Sequence, residues 1–388
     1  MQRAALLYSN LPHSLGLANC FPGPTEESAG IGGKIGVMKR SSVLGWASIL
    51  LCLSMRPVQP EVGSVVVQGM TISCQGWGRE WASDQFCVEL DELKALGVNW
   101  VAIHPYAWVG RDGGLSWPDL DPANPPEWLA RPIRETRARG MSLFIKPHLG
   151  YWGSPFSWRG EIDYPDVADR RQFFDDYKRW IVQIAACTKD ADAFAVGTEL
   201  ELLNTERDDA QWRDIISEIR KVTDVHLTYA ANWDVFRRLS FWDALDVVGV
   251  QAYFPIASEV EPTDLALQEG WQKVISELRA VHDETGLPIV MTELGYNCSL
   301  DAAREPWAHK SAKGADRGPA ALLQQRLLRT GLLALKPETE WLRGAFLWKW
   351  FPGEARRANF MMDEPILRGV IANVWAAGTG RPSETKSE

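Results

Sequence analysis

The sequence predicts an α/β fold, a single (β/α)8 TIM barrel, on three observations. After Val62 a short apolar run, a loop and an amphipathic stretch alternate eight times. The apolar runs are nearly continuous, as strands covered by helices should be. The first run leads into Ile72-Ser73-Cys74-Gln75-Gly76 rather than the GxGxxG turn that a doubly wound nucleotide-binding sheet would place there. A chain of 388 residues has room for a barrel, which typically takes about 250.

Read in order, residues 1–37 show no sustained period and hold Gly30, Gly32, Gly33 and Gly36, so they are expected to be a disordered or over-extended start. Lys39 and Arg40, an apolar run from Val43 to Leu53, and then Arg56, Pro57 and Pro60 read as a signal-peptide-like segment over 38–60. Export to the periplasm or the extracellular space is the expectation. The run is shorter than the roughly 20 residues a bilayer span needs, so no stable membrane insertion is expected after signal removal. The catalytic barrel is expected over 62–378, with a disordered tail at 379–388. Strands are predicted at 68–73, 100–106, 142–148, 193–199, 227–232, 247–253, 288–294 and 344–350. Helices are predicted near 83–96, 126–139, 168–187, 208–222, 235–244, 263–284, 319–335 and 364–376. Asp84 and the pair Pro125-Pro126 mark helix starts, while Gly97, Gly140 and Gly286 mark ends.

Composition narrows the function. With 41 Lys+Arg against 50 Asp+Glu, the formal charge is 41 − 50 = −9, and no long basic run exists. Nucleic acid and anionic lipid are therefore disfavoured as partners, and no protein partner is evident. Cys74, Cys87, Cys187 and Cys298 match no zinc or CxxC spacing and read as buried thiols or one disulfide. No metal or cofactor is expected, because the first strand lacks HxH and only His104 and His148 fall at strand ends. The 19 Trp residues exceed what a core requires. Their flat amphipathic rings suit a groove that takes a ligand apolar on its faces and polar at its edges, as a carbohydrate is.

Side-chain alternation selects the residues at the rim. On the fourth strand Ala193, Ala195 and Gly197 share a face with Glu199, and small residues suit the crowded axis, so Glu199 is expected to point inward at the carboxyl end. The same test places His104, Lys146, His148, Asn232, Tyr253, Glu293 and Trp348 at or near that end, where barrel enzymes carry their active sites. Trp77, Trp81, Trp152 and Trp233 fall in rim loops where sugar stacking is plausible. Glu199 and Glu293 then stand on the fourth and seventh strands. Two carboxylates across a barrel mouth are what glycosidic cleavage uses, one donating a proton to the leaving oxygen and the other attacking or activating water.

The phrases Lys146-Pro147-His148, Gly197-Thr198-Glu199-Leu200, Tyr229-Ala230-Ala231-Asn232-Trp233, Gln251-Ala252-Tyr253-Phe254-Pro255, Thr292-Glu293-Leu294-Gly295-Tyr296 and Trp348-Lys349-Trp350 resemble glycoside hydrolase family 113, within clan A of retaining barrels. That family is known for β-mannanases, and the resemblance spans about residues 68–376. It implies a retaining, cofactor-free hydrolase of β-linked polysaccharide or oligosaccharide, with β-mannan the first substrate to expect. It further implies Glu199 as acid/base, Glu293 as nucleophile, Tyr253 as the hydroxyl beside the nucleophile and Trp348 as the platform under the sugar. Thr198 departs from the resemblance, since many clan members carry Asn immediately before the acid/base. Another β-glycan, or a non-catalytic carbohydrate-binding barrel, remains the alternative on the residues alone.

Overall fold

The computed structural model describes residues 66–353 and 359–376. The chain divides into two units, 1–61 and 62–388, and the expected signal-like segment and disordered ends lie outside the described residues. Among the described residues eleven strands form: β1 Val67–Ile72, β2 Trp100–Ile103, β3 Tyr106–Val109, β4 Leu115–Ser116, β5 Ser142–Ile145, β6 His148–Gly150, β7 Ala193–Thr198, β8 His226–Asn232, β9 Val247–Gln251, β10 Ile289–Leu294 and β11 Leu342–Trp350. Eight of them close a parallel barrel in the order β1-β11-β10-β9-β8-β7-β5-β2. All eight predicted strands are present.

The barrel axis is filled by Val67, Ala102, Phe144, Ala195, Val290 and Phe346, packed as one cluster. Gly69 makes room for them, because a Cβ there would meet the Phe346 ring at 2.4 Å. Residues of opposite parity, such as Ile72, Val101, Ile145, Phe194, Leu227, Val248 and Met291, pack outward in the larger core that the helices cover.

Among the described residues seven α-helices follow the alternation: α1 Asp84–Ala95, α2 Glu127–Ala138, α3 Val167–Cys187, α4 Asp209–Arg220, α5 Asp264–Thr285, α6 Arg317–Leu335 and α7 Pro365–Trp375. Their caps have local causes. Ser83, one residue before the predicted Asp84, accepts from the Phe86 amide; Asp166 accepts from the Ala168 and Asp169 amides, and Gly286 ends α5 in the left-handed region at φ 69°.

Two expectations are corrected. The helix predicted at 235–244 is replaced by two 3-10 turns, Phe236–Arg238 and Trp242–Ala244. Tertiary packing overrides local preference here: Phe236, Phe241 and Trp242 are all buried, and the Arg213 guanidinium of α4 donates to the Ser240 carbonyl between the turns and to the Asp243 carboxylate within the second. Second, the runs predicted as 100–106 and 142–148 are each broken before their ends. Pro105 and Pro147 lack the N–H a barrel ladder needs, so β2 stops at Ile103 and β5 at Ile145. The chain beyond them forms a separate three-stranded sheet, β4-β3-β6, at the same end as the site. Cys74, Cys87, Cys187 and Cys298 are free thiols.

Candidate active site

Glu199 reaches the mouth by a different route from simple alternation. Ala195 faces the axis and Val196 the helices, but the register of β7 against β8 slips between Ala195 and Thr198. A Cβ on Gly197 would meet the Tyr229 ring at 2.5 Å and the Trp212 ring at 2.8 Å, so Gly197 also faces the helix layer. Glu199 then adopts φ 56°, uncommon for a residue with a side chain, and its N–H donates to the Ala230 carbonyl at 3.0 Å. The expectation of one shared face for 193, 195, 197 and 199 is therefore corrected. Glu293 arrives similarly. Ile289 and Met291 belong to the helix-facing core and Val290 to the axis, while register slips between Met291 and Glu293 against β9. Bulges of this kind re-aim side chains beside active sites.

The two carboxylates have different surroundings. Glu293 accepts from the Lys146 ammonium at Oε1 and from the Tyr253 hydroxyl at Oε2, the latter at 2.6 Å. Lys146 is fully buried, its Nζ 4.9 Å from the centroid of the half-buried Trp348. Burial lowers its pKa, and the Glu293 charge opposes that shift. Tyr253 is held neutral, its pKa driven up by burial and then by the neighbouring Glu293 charge. Glu199 accepts from Arg159 Nη1 at Oε2, 2.5 Å away. Burial raises its pKa; the Arg159 charge opposes this, Glu293 reinforces it and Lys146 opposes it. Glu199 and Glu293 thus lie in one electrostatic neighbourhood.

The other predicted site residues separate into layers. His148 is buried with its Nε2 4.0 Å from Glu293 Oε1, beyond hydrogen-bond reach, and its ring stacks on His104 at 4.9 Å and 16°. His104 is also buried, its Nε2 2.9 Å from the Ser73 hydroxyl. Burial pushes both imidazoles well below their usual pKa and keeps them neutral. Asn232 turns its amide to Glu201 Oε1 at 2.7 Å. Trp77 and Trp152 remain 46% and 50% exposed, joined through Trp108 at centroid distances of 5.2 and 5.3 Å. Trp233 stacks on Trp307 at 5.5 Å and 20°. Trp81 is corrected from rim to core: it is fully buried, its indole N–H donates to the Ile72 carbonyl at 3.0 Å, and its ring packs edge-on to His104.

Sequence reasoning missed Arg159, Trp108 and Trp307. Arg159 lies in a loop forty positions from Glu199, and nothing in its neighbours Trp158 and Gly160 marks it. The proline breaks at Pro105 and Pro147 were the available signal for the small sheet that carries Trp108. Among the described residues no group of three or more His, Cys, Asp or Glu side chains is placed to hold a metal ion.

Solved structures share this architecture. A Glycoside Hydrolase Family 113 β-mannanase, AaManA from Alicyclobacillus acidocaldarius, superposes with a TM-score of 0.67 at 22% identity, over 81% of this chain and 99% of that one. A family 113 β-1,4-mannanase gives 0.68 at 17%, over 81% and 100%. A family 5 mannosidase from Rhizomucor miehei gives 0.54 at 11%, over 81% and 93%. At these identities the likeness establishes the fold. No curated protein matches the sequence. The family model described as Glycoside Hydrolase Family 113 matches residues 70–363, a stretch that contains both mouth carboxylates and every residue that holds them. With that match covering most of the chain, the protein belongs to glycoside hydrolase family 113 and is a glycosidase.

Proposed function

We propose that this glycosidase hydrolyses β-mannan with retention of configuration, Glu293 acting as nucleophile and Glu199 as acid/base. The observation that carries the reading is the asymmetry of the two carboxyl groups. Both oxygens of Glu293 accept from donors, the Lys146 ammonium and the Tyr253 hydroxyl, which suits an ionised nucleophile. Glu199 has one oxygen bonded to Arg159 and a pKa raised by burial, which suits a group that must be protonated before cleavage. In the first step Glu293 bonds to the anomeric carbon as the glycosidic C–O bond breaks, and the Glu199 proton passes to the leaving oxygen. In the second, Glu199 takes a proton from water as that water displaces Glu293. Trp348 supplies the floor beneath the reacting sugar, and Trp77, Trp152 and Trp233 offer faces to further sugars. The structural relatives that are β-mannanases favour mannan. Thr198 donates its hydroxyl to the Pro147 carbonyl at 3.0 Å, so it does not supply the amide that many clan members carry there.

The test uses Glu199→Ala. It should lose activity on β-mannan yet form the glycosyl-enzyme from an activated aryl β-mannoside, whose leaving group needs no proton. Added azide, a nucleophile that needs no base, should then release the β-mannosyl azide. If the variant traps nothing and gains nothing from azide while Glu201→Ala does both, the acid/base role passes to Glu201. Wild-type hydrolysis of mixed-linkage glucan or xylan in preference to mannan would replace the sugar but keep the chemistry.

A further inference from the structure

Arg159 sits in a short 3-10 turn, Arg159–Glu161, in the loop that follows β6. It is buried, and its contacts fix where its charge lies. Nε donates to the Leu149 carbonyl of β6 at 3.1 Å, and the guanidinium carbon lies 6.0 Å from the centre of the Tyr151 ring. The Trp158 ring packs directly over the turn, so close that a Cβ on Gly160 would meet it at 2.0 Å. From this anchorage Nη1 reaches Glu199 Oε2, and the described hydrogen bonds leave Oε1 open. A guanidinium stays charged at any working pH, so Glu199 gives up its proton beside a permanent cation.

We propose that Arg159 is the positioning residue of the acid/base: it holds Glu199 by one oxygen, directs the other at the leaving group, and stabilises the carboxylate formed when the proton departs. The inference rests on the assignment of Glu199 made above. Its cost and its benefit have the same origin. A nearby cation makes Glu199 a stronger acid, which helps protonation of the leaving oxygen, but it also empties the acid of its proton at lower pH. The burial that raises the Glu199 pKa works against that loss.

Arg159→Met removes the charge while keeping a long unbranched side chain, and Arg159→Lys keeps the charge without the fork. The pH profile of kcat/KM on mannohexaose has a basic limb that reports the acid of the free enzyme. In Arg159→Met this limb should move to higher pH. At the pH optimum kcat/KM should fall by about tenfold or more on mannohexaose, a part of the roughly 10²–10⁴-fold that general acid catalysis contributes. On a dinitrophenyl β-mannoside, which needs no acid, it should fall much less. Arg159→Lys should leave the limb near its wild-type position and recover part of the rate. A folded Arg159→Met with an unmoved limb, or with equal losses on both substrates, would overturn the proposal. Should the methionine variant fail to fold, a limb moved upward in Arg159→Lys, which still carries the charge, would overturn it equally. Azide rescue of Glu199→Ala keeps the two failures apart, because it tests Glu199 without touching Arg159.

Discussion

At the scale of single residues, Glu293 is held in a way that separates the nucleophile role proposed for it from its structural role. Lys146 is fully buried, and Glu293 is the acidic side chain that accepts from its ammonium. Removing one partner of such a pair leaves an uncompensated charge, typically costing about 3–5 kcal/mol, unless the lysine sheds its proton. Glu293→Ala should therefore lose both turnover and a large share of its thermal stability. Glu293→Gln, which keeps an oxygen to accept a hydrogen bond, should lose turnover with a smaller fall in Tm. The double variant Glu293→Ala/Lys146→Met should recover much of the Tm without recovering activity. Scanning calorimetry beside a mannan assay decides the matter: a wild-type Tm in Glu293→Ala would show that the ion pair contributes little, and activity in a folded Glu293→Ala would remove it as nucleophile.

At the scale of elements, the barrel strands do more than supply positions along a pleat. The slips at the ends of β7 and β10 turn two carboxyls that plain alternation would not orient alike. Gly197 lies within the β7 slip, wedged against Tyr229 and Trp212. The Tyr229 hydroxyl in turn accepts from the Leu200 N–H at 2.9 Å, immediately after Glu199. Gly197→Ala should push these rings apart, costing about 1–3 kcal/mol as overpacked cores do, and should lower kcat through displacement of Glu199. Unfolding and kinetics measured on the same preparation check this. A variant with wild-type Tm and wild-type kcat would mean that the strand end accommodates a Cβ without moving.

At the scale of the whole molecule, burying two neutral imidazoles makes stability depend on pH. The folded-state pKa values of His104 and His148 lie well below the ordinary value near 6.5, owing to burial. Below about pH 6.5 the unfolded chain takes up protons at these two sites and the folded chain does not, so unfolding becomes easier as pH falls. Each histidine contributes a slope of up to about 1.4 kcal/mol per pH unit in that window. Glu199 acts in the other direction: its raised folded-state pKa makes its protonation favour the folded state as pH falls toward the ordinary carboxyl range. Urea unfolding between pH 7.5 and 5.5 should show declining stability, with a shallower decline in His148→Gln. The same slope in wild type and variant would exclude His148 as a source.

The eight barrel strands, seven of the eight helices and the pair Glu199 and Glu293 were legible from the sequence, because hydrophobic period and the rim rule are local signals repeated along the chain. The aromatic excess pointed to carbohydrate for the same reason, being a property of composition. What alternation could not reach lies where distant segments meet. The turns at 235–244 answer to buried aromatics and to Arg213 on another helix, and the sheet of β3, β4 and β6 exists only because two prolines release the chain to pair elsewhere. Trp81 left the rim for the core once the Ile72 carbonyl offered its indole a partner. Arg159 joined the site through a loop that no motif marks, and the bulges set the aim of both carboxyls. A side chain's identity and its place along a strand are written locally, whereas the partner that sets its charge and direction is chosen by packing across the barrel mouth.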